Sequence, residues 1–148
     1  MQNRRREVEE FFAGYEARVN AALGEPPVVD VEGMAEAYAE HVIEAHPGGV
    51  TYFEKEQFRA AIPQVFERQR SIGSKSMRMV SLEVTPVDDH HWAGKVRWEA
   101  RYERGHRGCA CRVRRDIPRP VGRRTTADLR LHRGDEEGFL KEKGLIPN

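Results

Sequence analysis

The periodicity of apolar residues changes once along this chain, near Gly73, and this change constrains the fold more than any other feature of the sequence. Before Gly73 the apolar residues recur every three or four positions, which is the spacing of amphipathic helices. After Gly73 they recur at every second position, which is the spacing of strands with one buried face. Helices that come first and strands that follow predict an α+β domain, with the helices packed on one face of a curved antiparallel sheet.

Two helices are predicted in the first third of the chain. The first runs from Arg5 to Leu23, and Gly24 ends it because glycine favours the position after a helix. The second begins after Asp30, a candidate N-cap, and ends at the turn-forming segment HPGG. Its inward face is predicted to carry Met34, Ala37, Tyr38, His41 and Val42.

A third helical segment, a long hairpin and a last short helix complete the prediction. The third segment covers residues 51–73, and Pro63 inside it predicts a kink or a break near Ala61. The C-terminal helix is predicted over residues 135–143. The hairpin has one apolar face, formed by Val80, Leu82 and Val84 in its first strand and by Trp92, Gly94, Val96, Trp98, Ala100 and Tyr102 in its second.

The length and the charge of the chain limit its class. A chain of 148 residues suits a single domain, expected to span residues 1–148, and a net charge of +1 gives no overall attraction to nucleic acid. Neither a secretory signal nor a transmembrane run is evident, which predicts a cytoplasmic protein that does not attach to a membrane. Cys109 and Cys111 are too close together for a zinc or redox knuckle, so neither a metal ion nor a cofactor is expected.

Four segments together resemble the nuclear transport factor 2-like superfamily, specifically its SnoaL-like and ketosteroid-isomerase-like branch. They are EEFFAGYEARVNAAL, the HPGG turn, EQFRAAIPQVFERQRSIG and GKVRWEARYER, and the resemblance covers roughly residues 7–104. It implies a cone-shaped half-barrel that encloses a pocket and often pairs with a second copy through its outer sheet surface. Members isomerise or cyclise steroid and polyketide substrates with a carboxylate base, open epoxides, or only bind a ligand or a partner protein. The resemblance therefore implies where a pocket lies but names no substrate.

Two residues are candidates for catalysis. His41, three positions after Tyr38 on the predicted second helix, is a candidate general base, and a core or rim histidine satisfied by a neighbour is the structural alternative. Tyr15 is a candidate donor to a developing oxyanion, a role that the resemblance implies for a tyrosine on the first helix; simple packing is its alternative. The carboxylate base that the resemblance implies is not assigned to any residue. The pocket is expected to be lined by Tyr38, Trp98, Tyr52 and Val96, with simple core filling as the alternative for Trp98.

These residues predict a protein that binds or transforms a small hydrophobic carbonyl compound. If it is an enzyme, proton abstraction beside the carbonyl is the expected reaction class, with His41 as the base. The alternative is a non-catalytic dimeric module of the same fold, which binds a ligand or a protein. In that case the contact is made by the outer face of the sheet, and a homodimer is the expected assembly; that face includes Lys95, Arg97, Glu99 and Arg101.

Residues 105–133 are atypical for this fold. Residues 101–133 hold eleven arginines and three acidic residues, and Pro118 and Pro120 are unfavourable in a central strand. One interpretation is a basic loop that binds phosphate or nucleic acid. No aromatic residue occurs between residues 103 and 133, which argues against it, so a nucleic-acid partner is not expected. The other interpretation is a compensated pair of frame errors in the gene, with the frame restored after Gly134.

Overall fold

The computed structural model of this chain shows three helices and six strands among the residues it describes. It describes residues 2–46, 48–104, 109–122, 129–132 and 141, and it describes the side chains of residues 5–45, 48–103 and 141. The α+β class predicted from the sequence is confirmed. In chain order the elements are α1 (Gln2–Leu23), α2 (Val31–Ala35), β1 (His41–His46), β2 (Gly49–Glu54), α3 (Lys55–Ser71), β3 (Ser74–Pro86), β4 (His91–Arg104), β5 (Cys109–Gly122) and β6 (Leu129–His132).

The strands form two three-stranded sheets within the described residues. One has the order β3-β4-β5, and both of its pairs are antiparallel. The other has the order β2-β1-β6, in which β1 pairs antiparallel with β2 and parallel with β6. The parallel pair differs from the wholly antiparallel sheet predicted, because the chain returns from β5 to lie beside its first strand.

The second helix is much shorter than predicted. It ends at Ala35, and His41 and Val42 belong to β1 instead of to a helical face. Tyr52 likewise lies on β2, not on the third helix, which begins at Lys55. The physical reason is a hairpin signal that outweighs the helical spacing: β-branched residues flank a proline-glycine turn on both sides.

Pro63 does not break the third helix. α3 is continuous from Lys55 to Ser71 with Pro63 inside it, and the proline is exposed. A proline removes the single hydrogen bond to the carbonyl four residues earlier, here that of Arg59, so the neighbouring turns can keep the helix intact. The expected break near Ala61 is therefore wrong.

The inward face of β3 changes phase at a bulge. The register with β4 shifts after Met79, so Met77 and Met79 pack on the core before the shift, and Leu82 and Val84 pack on it afterwards. Val80, predicted to face the core, is 40% exposed. An inserted residue at a bulge moves the following side chains to the other face, which is why simple alternation misplaced Val80.

β5 contains both prolines that the sequence analysis describes as unfavourable in a central strand. It pairs with β4 along its length, with Pro118 opposite Lys95 and Pro120 opposite Ala93. Prolines two residues apart turn their nitrogens toward the same edge of a strand. Within the described ranges β4 is the one strand paired with β5, so the other edge can hold both prolines without loss of a ladder bond. The frame-error hypothesis is not tested by this pairing and stays a hypothesis.

Two apolar clusters form the described core. The larger joins α1 to the β3-β4 face, and its buried members are Val8, Phe12, Tyr38, Val42, Val96 and Trp98. The smaller lies between the end of α1, α2 and α3, and its buried members are Ala22, Met34, Ala35 and Ile62. Among the helices in the described ranges, none combines the length and the apolarity that crossing a bilayer requires. The predicted C-terminal helix lies outside the described residues except for the helical residue Lys141.

Candidate functional site

The inner face of β4 brings two of the predicted pocket residues together. Val96 and Trp98 are two positions apart on this strand, and neither is exposed to solvent. α1 covers them, and the ring of Tyr15 lies 5.9 Å from that of Trp98, with Phe12 at 6.5 Å. Tyr15 and Trp98, predicted from separate segments, are therefore neighbours in the core.

Tyr38 belongs to the same cluster. It is 6% exposed, and its ring lies 4.3 Å from the ring of Phe58 on α3. Phe53 of β2 lies 5.7 Å from Phe58, so the aromatic packing continues to the second sheet. Tyr38 lies in the connection between α2 and β1, where it contacts the core without belonging to either element.

His41 and Tyr52 form a separate pair on the surface of the β1-β2 hairpin. The Tyr52 hydroxyl lies 2.6 Å from His41 Nδ1, and the two rings are stacked with centroids 5.9 Å apart. Both side chains are exposed, Tyr52 by 57%. The structure thus brings these two predicted site residues together, but outside the buried cluster that holds Tyr15, Tyr38, Trp98 and Val96.

Glu44 is a candidate that the sequence analysis missed. It lies two residues after Val42 on β1, so both side chains belong to the same strand face, the one that joins the larger cluster. Its carboxylate oxygen Oε1 is buried. The prediction of a helix over residues 34–42 left Glu44 out of the candidate site. The alternation of Val42 and Glu44 ahead of a proline-glycine turn is the sequence signal for a strand at this position.

The indole nitrogen of Trp98 is a buried donor. Its side chain is fully inaccessible, and no atom of the described residues accepts a hydrogen bond from Nε1. Buried N–H groups are nearly always paired in folded proteins, so an unpaired one indicates a missing partner. Trp98 thus offers a hydrogen-bond donor within a cluster that is otherwise mostly apolar.

Asp30 is confirmed as the N-cap of α2. Its Oδ1 accepts a hydrogen bond from the Gly33 N–H at 2.9 Å, and Arg18 Nε donates to Oδ2 at 3.1 Å. The Gly33 N–H first and Arg18 second hold the pKa of Asp30 below its usual value, because both favour the charged carboxylate. These contacts assign Asp30 a structural role.

The turn between β3 and β4 is organised by Asp88. Its Oδ1 accepts hydrogen bonds from the N–H groups of His90 and His91, each at 2.8 Å, and His91 Nδ1 lies 2.8 Å from both carboxylate oxygens. The His90 N–H first, and then the His91 side chain, lower the pKa of Asp88. Nowhere in the described part of the chain do three histidine, cysteine, aspartate or glutamate side chains group as metal ligands would.

Comparison of the sequence with known proteins gives no match to a protein-family profile or to a curated protein. Solved structures do match. An NTF2-like protein with a cystatin-like fold from Novosphingobium aromaticivorans has a TM-score of 0.64 and 16% identity, over 97% of this chain and 89% of that chain. A ketosteroid isomerase-like protein from Erwinia carotovora atroseptica SCRI1043 has a TM-score of 0.59 and 14% identity, over 86% and 92% of the two chains.

A third solved structure also has a similar fold. An NTF2-like protein of unknown function from Shewanella oneidensis MR-1 has a TM-score of 0.57 and 13% identity, over 86% of this chain and 96% of that chain. The chain therefore has the nuclear transport factor 2-like fold, as its sequence resemblance implied. Identities this low establish the fold, and the function has to be argued from the site.

Proposed function

We propose that this chain is a SnoaL-like pocket protein that binds or transforms a small hydrophobic carbonyl compound inside a cone-shaped half-barrel. The fold is shared with a ketosteroid isomerase-like protein. The larger cluster supplies apolar and aromatic surface from α1, β3 and β4, which suits a planar, mostly apolar ligand. The finer chemistry depends on which polar atoms lie among these side chains.

The buried carboxylate oxygen of Glu44 is the observation that carries the proposal. A carboxylate oxygen is rarely buried without a functional or structural reason, because its desolvation is costly. Glu44 lies on the strand face of Val42, a member of the larger cluster, and its Oε1 is buried. A carboxylate held beside a bound ketone can remove a proton from the carbon next to the carbonyl.

Each polar group then has a role in the proposed reaction. Glu44 takes the α-proton of the ketone, and the electron pair of the broken C–H bond moves into an enolate. Tyr15, which packs against Trp98, donates a hydrogen bond to the enolate oxygen. Delivery of a solvent-derived proton to the same carbon completes an exchange. In a ketone with a β,γ double bond, delivery of the proton to the γ-carbon of the dienolate moves the double bond into conjugation and completes an isomerisation. His41 is the competing base, and its exposed pairing with Tyr52 favours Glu44 over it.

Exchange of the α-protons of 2-tetralone for deuterium tests this proposal directly. We expect the protein in D₂O to accelerate exchange, followed by proton NMR, and Glu44→Gln to slow it by roughly 100-fold or more, since general bases contribute about that much. Tyr15→Phe should also slow it. The matched control is His41→Asn, which removes the sequence-predicted base and should leave the rate within about twofold if Glu44 is the base.

Three other results have distinct meanings. A large loss in His41→Asn with none in Glu44→Gln would move the base to the hairpin surface. Saturable binding of 2-tetralone without faster exchange would leave a binding protein and reject the transformation. The absence of both binding and exchange would overturn the proposed function for this class of ligand.

The alternative function, a non-catalytic dimeric module, is favoured by the outer face of the hairpin. This face carries alternating charges, with Arg78 Nη2 at 3.2 Å from Glu99 Oε1 and Lys95 Nζ at 4.0 Å from Glu83 Oε2. A surface on which positive and negative side chains alternate can be complementary to the same surface of a second copy. Sedimentation analysis of Lys95→Glu against the native chain tests it: a dimer that dissociates in the variant supports this interface, and a monomeric native chain rejects it.

A further inference from the structure

Trp98 combines complete burial with an unused hydrogen-bond donor. It lies in the middle of β4, and its register partner on β3 is Met79. No atom within the described residues accepts from its Nε1. Tryptophan in a core usually finds a partner for this N–H, because an unpaired buried donor forfeits the hydrogen bonds it made to water.

The described surroundings of the indole explain why its N–H finds no acceptor among them. The neighbours are the rings of Phe12 and Tyr15 on α1 and the thioether of Met79, which pack with the same cluster. Aromatic faces and a thioether are weak acceptors compared with a carbonyl oxygen. The backbone of Trp98 is paired with β3 on one side and with β5 on the other, which fixes the position of the ring. The donor is therefore fixed in place without a strong acceptor among the described residues, and a bound carbonyl compound would supply one.

We infer that Trp98 is the residue that orients the ligand, by donating its Nε1–H to the carbonyl oxygen of the bound compound. This inference rests on the proposed function and deepens it, because it defines the ligand class by an acceptor atom as well as by apolar area. A hydrocarbon of the same shape would leave the indole N–H unpaired and would bind more weakly. Specificity of this kind follows from the cost of an unpaired polar group in the site.

The test compares 2-tetralone with tetralin, in which a methylene group replaces the carbonyl. Affinities are measured by ligand-observed NMR for the native chain and for Trp98→Phe, which keeps an aromatic ring and removes the donor. We expect the affinity for 2-tetralone to fall about tenfold in the variant, the size of one neutral hydrogen bond, and that for tetralin to change by less than about threefold. Thermal unfolding and near-UV circular dichroism establish that the variant is folded.

A second measurement does not require any change at Trp98. The chain has two tryptophans, so Trp92→Phe leaves a single indole N–H signal in a nitrogen-proton correlation spectrum, that of Trp98. Trp92 is only partly buried at the start of β4, so its replacement should be tolerated. We expect 2-tetralone to move the indole proton downfield at saturation and tetralin to leave it nearly unmoved.

The outcomes separate the inference from the proposed function. If 2-tetralone binds and exchanges but the indole signal does not move, Trp98 only packs or holds a water molecule, and the inference is overturned while the proposed function stands. Equal losses of affinity for both compounds in Trp98→Phe would also overturn it. If neither compound binds the native chain, the proposed function fails, and the inference fails with it.

Discussion

At the scale of the residue, the lack of a side chain at Gly73 allows the start of β3 to approach the end of β4. Gly73 joins α3 to β3 with a φ of 88°, and a Cβ at this position would lie 2.1 Å from the carbonyl oxygen of Glu103. The Glu103 N–H donates to the Gly73 carbonyl at 2.8 Å, so the close approach is part of the β3-β4 pairing. Glycine is required here by its backbone angle and by its lack of a side chain together.

Gly73→Ala should therefore be strongly destabilising. We expect the free energy of unfolding to fall by on the order of 3 kcal/mol, because the positive φ is strained for alanine and the Cβ displaces backbone that has no room to move. Urea unfolding measures it. Gly49→Ala is the matched control, since Gly49 has a φ of 135° but no heavy atom within 4 Å of its would-be Cβ. Equal losses in the two variants would mean that the contact with Glu103 does not matter.

At the scale of the element, the β3-β4 hairpin is closed by one carboxylate. Asp88 binds two backbone N–H groups of the turn and the His91 ring, and these contacts lower its pKa. A group whose pKa is lower in the folded chain stabilises the fold above its unfolded pKa, about 3.9 for aspartate. That contribution is lost as the pH falls through the lowered folded value, because protonation then occurs in both states.

This linkage predicts a pH-dependent effect of Asp88→Ala. At pH 6 the variant should unfold at a lower temperature than the native chain, and the difference should narrow as the pH falls below about 4. Thermal unfolding followed by circular dichroism between pH 2.5 and pH 7 measures it. Asp89→Ala removes the neighbouring carboxylate, for which the described structure shows no hydrogen bond, and should leave the melting temperature nearly unchanged. A constant difference at all pH values would show that the charge of Asp88 is not involved.

At the scale of the whole molecule, side chains of α1 bind the open edge of β3 and so join the helical layer to the sheet. The Asn20 amide donates to the Met77 carbonyl and accepts from the Met77 N–H, each at 2.8 Å. Two residues further along β3, Glu16 Oε2 accepts from the Met79 N–H at 2.5 Å. Asn20 thus pairs with β3 as a neighbouring strand would, which satisfies an edge that otherwise invites association.

Asn20→Ala tests this connection. Two partly buried backbone groups would lose their partner, so we expect a loss of about 2 kcal/mol in the free energy of unfolding and a melting temperature lower by roughly 4–8 °C. Glu9→Ala, on the exposed side of the same helix, removes only a surface ion pair with Arg5 and should cost a few tenths of a kcal/mol. A variant Asn20→Ala as stable as Glu9→Ala would contradict the proposed edge contact.

Local patterns in the sequence determined the class of the fold and several of its parts. The change of period near Gly73, the stop at Gly24 and the N-cap at Asp30 were all readable, because each depends on neighbours in sequence. So were Val96 and Trp98 on the buried face of β4, since alternation along an uninterrupted strand assigns its faces. The resemblance to the nuclear transport factor 2-like superfamily rested on four sequence segments that overlap these elements.

The tertiary structure decided what depends on distant partners. The pairing of β1 with β2 placed His41 and Tyr52 at the surface and Glu44 on the strand face of Val42, against a helical spacing that local sequence also allowed. The bulge after Met79 and the acceptance of two prolines in β5 depend on which edge and which face of the sheet each residue meets. Such information is absent from short-range patterns, because register and edges exist only once strands far apart in the chain have paired.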